Sequence, residues 1–226
     1  MNRPLTLLEI RRATPADVPT ILEIKHALRL ELEATTEAGG FLLGSSPQVY
    51  EQLASIEAIA LIERDGQLLG FSTMLNDALF RSSEVFERRE QIDWQGFSPQ
   101  EILAEPIAYF DQLAIRPDEQ RGYIGAFLAM HTMDTLTASS AHVFTTTLLE
   151  PIENRAALPL IHKIGGRQVG TLTETYPDVG EVTSAIFHLA ADAYRASIER
   201  MRREGSARER ETIAAYDAWC RDTSAH

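Results

Sequence analysis

The chain has 226 residues, room for one medium domain with elaborations or two small ones around a real core. Hydrophobic residues make up 44% of it and aromatics 8%, an ordinary soluble globular composition, while a formal net charge of −12 argues against a nucleic-acid partner. The single cysteine, Cys220, excludes an internal disulfide and a cysteine zinc cluster, and no metal site is expected.

The N-terminus, "MNRPLTLLEIRRATPADV", has no long apolar stretch, so neither a secretory leader nor a membrane anchor is expected, and a cytoplasmic location follows. "LTLLEIRRAT" (5–14) reads as a first strand. A helix then opens with Thr14 as N-cap and Pro15 in its first turn, and its apolar stripe runs through Val18, Ile21, Leu22, Leu28 and Leu32. A loop with Gly39, Gly40 and Gly44 follows, and Ser46-Pro47 starts a short helix ending near Ile56. Residues 58–75 form a hairpin around Asp65-Gly66, the pair a type I′ turn prefers. Residues 76–105 read as a charged, partly helical insert without a strand. Its Phe80, Phe86, Trp94 and Phe97 either wall an acceptor pocket or form a small core of their own. "PIAYFDQLAIR" (106–116) is a strand, followed by a glycine-bearing turn, a helix to about Thr137 and a β-branched strand at 141–150. A helix over 153–166 closes at Gly165-Gly166, and two more strands surround the turn "PDVG". From about residue 190 the chain is a helical tail broken at Gly205-Ser206. Its stripes, Tyr194, Ile198, Met201 and then Ile213, Tyr216, Cys220, pack either on the domain or in a homodimer. The order predicts an α/β fold with a mixed, largely antiparallel sheet flanked by helices.

The stretch "LAIRPDEQRGYIGAFLAMH" (113–131) carries the chemistry. A helix N-terminus presents unpaired N–H groups and a positive dipole end, together a site for anions. Gly122 and Gly125 let backbone approach an anion closely, and Arg116 and Arg121 add positive charge to an otherwise acidic protein. The arrangement reads as a strand-loop-helix phosphate cradle, the alternative being glycines that serve only a tight turn. It is not a P-loop, since no Gly-Lys-Ser/Thr follows, nor a dinucleotide fingerprint.

Here the chain resembles the GCN5-related N-acetyltransferases, whose acetyl-CoA loop reads Gln/Arg-x-x-Gly-x-Gly/Ala. The match is Gln120-Arg121-Gly122-Tyr123-Ile124-Gly125, or, slid by one, Arg121 to Ala126; either way one signature glycine is replaced, by Tyr123 or Ile124. "ENRAALPLIHKIGGRQVG" is similar to the family's Asn-x-x-Ala helix and following strand. The resemblance spans 5–189, apart from the 76–105 insert, and leaves 190–226 as the tail. It implies the acyl-CoA N-acyltransferase fold, with two central strands splayed to admit a pantetheine arm. It further implies that Leu113, Ala114 and Ile115 pair with that arm, that the amides of Arg121 to Ala126 hold the pyrophosphate, and that Asn154 touches acetyl-CoA. The activity implied is acetyl transfer from acetyl-CoA to a primary amine of a small molecule or peptide by direct attack.

Direct attack needs a base to take the amine's proton. Asp111 is the best-placed carboxylate if its strand bulges as in relatives, with Tyr109 two residues before it; otherwise it is a strand-edge hydrogen-bonding residue. Glu105 and Glu150 are weaker candidates. Relatives often carry a proton-donating tyrosine seven residues beyond the asparagine, a position held here by Ile161. His162 is next to it but about 100° around the helix, so it is either the donor or a surface histidine. His131 reads as a packing residue and Cys220 as inert. The alternative to an enzyme is a non-catalytic acyl-CoA-binding module of the same fold.

Overall fold

A computed structural model of the chain describes residues 8–30, 39–42, 46–119, 123–176 and 179–223. Asp65 and Gly66 take left-handed conformations, φ 54° and 73°, as a type I′ turn requires. They join β2 (Ile59–Arg64) to β3 (Gln67–Leu75), and β1 (Leu8–Arg12) pairs with the outer edge of β2. The sheet continues through β5 (Ile107–Ile115), β6 (His142–Glu150), β8 (Gly180–Ala190), β7 (Arg167–Tyr176) and a two-residue β4 (Asp93–Trp94). Among the described residues every neighbouring pair is antiparallel except β5 and β6. That parallel pair is joined through α6 (Ile124–Thr137), the crossover such a pair needs. The mixed, largely antiparallel sheet expected from the sequence is present.

Period-two alternation assigns the two faces. Ala60, Ile62, Leu69, Ala108 and Phe110 pack toward α6 and toward α8 (Ala191–Glu204) and α9 (Ala207–Thr223). Ile59, Leu61 and Phe71 lie under α1 (Val18–Ala27) and α2 (Pro47–Ser55) on the other face. The insert, with α3 (Asp77–Arg81), α4 (Glu84–Glu87) and α5 (Pro99–Ile102), covers the rest of that second face. Its aromatics pack down onto the sheet: Phe80 stacks on Tyr109 at 5.1 Å and Phe97 meets Phe144 edge-on at 6.2 Å. The insert also holds β4, which the sequence pattern did not announce. A strand of two residues is defined by its partners, here Thr171 and Gly170 of β7.

Two helices are shorter than expected, for identifiable reasons. α1 stops at Ala27 because the Leu30 N–H donates to the Phe41 carbonyl and the Phe41 N–H to the Leu28 carbonyl, both at 2.9 Å. Gly40 permits that pairing, since a Cβ there would lie 2.3 Å from the Leu28 oxygen. Leu32 and Gly44 lie outside the described residues. α7 (Leu158–Lys163) begins late because Pro159 lacks an N–H and fits only in a first turn.

The tail belongs to the domain's core. Tyr194, Ile198, Met201, Ile213, Tyr216 and Cys220 all pack on the α6 side, so of the two alternatives, packing on the domain or pairing in a homodimer, these stripes take the first. Asp134 of α6 accepts hydrogen bonds from the hydroxyls of Tyr194 (2.9 Å) and Tyr216 (2.8 Å), one carboxylate tying both tail helices. Phe127, with no exposed surface, sits beneath Tyr216 and Trp219, a burial worth roughly 2–3 kcal/mol. No helix among the described residues is long and apolar enough to cross a membrane.

Candidate active site

β5 and β6 stay paired only from Ile107/His142 to Phe110/Thr145. Beyond that point β5 keeps β3 as its partner through Ile115, while β6 stays with β8. Two strands that part while each holds another neighbour leave a slot, and a cleft of about 680 Å³ opens there. Its walls include Leu113, Ala114 and Ile115 on one side and Thr145 to Leu148 with Asn154 on the other. The Arg116 N–H donates to Leu69 of β3, so strand alternation turns the main-chain groups of Leu113 toward the slot.

The parting begins at a bulge. Thr73 pairs with Gln112 but Met74 with Phe110, which leaves Asp111 as the extra residue on β5. The bulge reverses the alternation: Ala108 and Phe110 face the α6 side, and after it so do Leu113 and Ile115. Asp111 and Gln112, adjacent in sequence, therefore both serve the opposite face. Thr73 Oγ1 donates to Asp111 Oδ2 at 2.8 Å, Gln112 Nε2 donates to the same oxygen at 3.1 Å, and Tyr50 OH donates to Gln112 Oε1 at 2.7 Å. Withdrawal from water pushes the Asp111 carboxyl above its ordinary value, against the Thr73 bond, the Lys25 charge and the Gln112 bond.

Lys25 of α1 lines the same cleft and is 7% exposed. Burial lowers its ammonium to about 8, opposed by the charge of Asp111. Tyr109, also on the cleft, shares a 2.9 Å hydrogen bond with Thr146 Oγ1. Burial, and then the Asp111 charge, hold its phenol above the ordinary tyrosine value, so it keeps its proton. At the insert end, Arg88 pairs with Glu174 at 2.9 Å, and Tyr176 OH donates to Glu174 at 3.2 Å.

Two buried polar atoms on the β6 side, Thr147 Oγ1 and Asn154 Oδ1, have no hydrogen-bond partner among the described residues. A buried unpaired acceptor costs about 1–3 kcal/mol. Both belong to residues lining the slot, so a ligand bearing N–H or O–H groups fits there. The first turn of α6 opens on the cleft at Gly125, where a Cβ would meet only Ile115 Cγ1, at 3.5 Å. Gly125 is helical, so its missing side chain, and not a left-handed backbone, is what leaves this approach open. Tyr123 occupies the N-cap position, Ile124 is buried in the core and Ala126 is partly buried in the first turn. Gln120, Arg121 and Gly122 lie outside the described residues.

Ile161 is buried against Ala185 and Phe187 and reaches the cleft only as hydrocarbon. His162 is exposed on the flank of α7 with its ring on Phe187 and does not line the cleft. Glu105 and Glu150 are exposed and also off the cleft. His131 packs edge-on against Trp219, and burial lowers it to about 4. Among the described residues no group of metal-ligating side chains comes together.

No protein-family model and no curated protein matches the sequence. Solved structures do match. The protein yncA from Salmonella typhimurium, solved with its cofactor acetyl-CoA, superposes at TM-score 0.52 and 15% identity over 82% of this chain and 95% of its own. NAA60 of Arabidopsis thaliana, in complex with a bisubstrate analogue, gives 0.55 and 15% over 81% and 97%. A GNAT-family acetyltransferase from Streptococcus pneumoniae gives 0.52 and 17% over 81% and 98%. The chain has the fold of the GCN5-related N-acetyltransferases. Within that fold, the slot is the place where β5 leaves β6.

Sequence reasoning reached Asp111, Tyr109 and Asn154 but missed Lys25, Tyr50, Thr73, Gln112 and Thr147. One signal for Lys25 was available. It falls in phase with Ile21 and Leu28 on the apolar stripe of α1, an unusual place for a lysine.

Proposed function

We propose that the chain is an N-acetyltransferase that moves an acetyl group from acetyl-CoA to a primary amine of a small molecule or peptide by direct attack. The observation that carries this reading is the coincidence of the parted strands with the bulge that presents Asp111. Acetyl-CoA supplies the activated acyl group when bound. The main chain of Leu113 to Ile115 lies along one wall for its arm, and Thr147 and Asn154 offer unused acceptors on the other. The amides from Arg121 to Ala126 are assigned to the pyrophosphate, with Gly125 leaving the approach open.

Asp111 takes the proton of the attacking amine. Its raised pKa suits it to that task better than a surface carboxylate. Tyr109 stays protonated and is held in place by the hydrogen bond it shares with Thr146; it is not the base. Ile161 offers no proton and His162 does not line the cleft, so the last proton is assigned to solvent.

Ile161 also favours a second reading, a non-catalytic acyl-CoA-binding module. Thiol release from acetyl-CoA against a panel of amines separates the two, with the CoA-dependent melting shift measured alongside. Release supports the enzyme, a shift without release supports the binding module, and neither response removes both.

A further inference from the structure

One residue lining the cleft carries a primary amine. The chain has nineteen arginines and two lysines, and one of those two, Lys25, lines the cleft. Its Nζ stands 4.9 Å from the ring centre of Phe41 and 5.4 Å from that of Tyr50. Aromatic faces beside a carboxylate are surroundings that recognise an ammonium group. Tyr50 is tied through Gln112 to Asp111, and α1 packs on β3 and β5, so Lys25 is held over the bulge. The other lysine, Lys163, is half-exposed on α7, paired with Glu209 and off the cleft.

We propose that Lys25 is an internal acetyl acceptor, acetylated by its own chain from an acyl-CoA thioester seated between β5 and β6. The inference rests on the function proposed above. In the step, the Nζ lone pair attacks the thioester carbonyl carbon. A C–N bond forms and the C–S bond breaks, its electron pair leaving on sulfur. The Nζ proton passes to Asp111 and through solvent to that sulfur, giving acetyl-lysine and free CoA thiol. With Lys25 lowered to about 8, a large share of it is neutral and nucleophilic near pH 8, where a surface lysine is almost wholly protonated. Among the described residues, the titratable groups facing Nζ are Asp111 of β5 and Tyr50 of α2.

The test is to incubate the full chain with acetyl-CoA and no added acceptor, and follow intact mass and peptide maps. The CoA-dependent melting shift and thiol release against amines are measured on the same preparation. One acetyl group is expected, on Lys25, at a rate per chain independent of protein concentration. That rate rises about a hundredfold from pH 6 to pH 9 and then levels, whereas an ordinary lysine continues to gain about tenfold per pH unit. Lys163→Arg keeps the label and Lys25→Arg loses it. The wild-type peptide map decides the matter even if Lys25→Arg does not fold. An unmodified Lys25, label confined to Lys163 or the N-terminal amine, or a rate per chain that rises in proportion to protein concentration overturns the inference. Melting shift and thiol release in that same sample leave the proposed function standing; absence of both removes it too.

Discussion

Replacing Asp111 by Asn should separate fold from function. The side chain keeps its shape and can still accept from Thr73 Oγ1, but a charge-assisted bond worth about 1.5–3 kcal/mol becomes a neutral one nearer 1. Against that loss stands the removal of a desolvated charge. An acid whose folded pKa is raised contributes stability at low pH that is lost as pH rises from its unfolded value through the folded one. Ionising Asp111 is therefore a burden on the fold. The two effects oppose, and the melting temperature should stay within about 4 °C of wild type, the shift expected for about 1 kcal/mol at this size. Catalysis has no such compensation. Loss of a positioned base typically lowers rates 10²- to 10⁴-fold, about 3–5 kcal/mol in the barrier. The assay is thiol release at varied amine concentration, from pH 6 to pH 9, with melting curves on the same preparation. A variant that melts normally and keeps more than about a tenth of wild-type kcat/KM, with an unchanged pH profile, would refute the base assignment.

Gly125→Glu should abolish the CoA-dependent melting shift, since it sets bulk and negative charge at the cleft mouth. The apo protein should melt no lower, because Cβ has room and glycine is about 1 kcal/mol poorer than alanine in a helix. Lys25→Met should stabilise the fold at pH 7, because lowering this group from 10.5 to about 8 costs the folded state roughly 3 kcal/mol, a cost that the attraction of its ammonium to the Phe41 and Tyr50 rings offsets only in part. That penalty is present in full below pH 8 and fades toward pH 10.5, so the stability gap between variant and wild type, read by urea unfolding, should close over that interval. Asp134→Ala should lower stability by about 1–3 kcal/mol by taking the carboxylate from both tyrosine hydroxyls and leaving Tyr194 only a 3.4 Å contact to the Met130 carbonyl, and limited proteolysis should then cut within α8 or α9 first.

Local rules made much of this architecture readable. Asp65-Gly66 dictates its own turn, and Thr14 with Asp17 forms a capping box, Asp17 accepting from the Thr14 N–H at 2.8 Å. The boundaries that moved depend on distant partners. α1 ends where Phe41 returns to meet Leu28 and Leu30, and β4 exists only because β7 lies beside it. The bulge is a matter of register between β3 and β5, and "IAYFDQLAI" shows it only as a change of phase around Asp111. The site's chemistry was half legible for the same reason. Asp111 stands out as a carboxylate in an apolar strand, but its modulators come from α1, α2 and β3, and no spacing along the chain announces them.

A crystal structure with CoA is the direct test of the central claim. The account predicts the pantetheine arm between β5 and β6, alongside the main chain of Leu113, with its amides satisfying Asn154 Oδ1 or Thr147 Oγ1 and its diphosphate at the first turn of α6. CoA bound elsewhere, or β5 and β6 hydrogen-bonded to each other beyond Phe110 and Thr145, would contradict it.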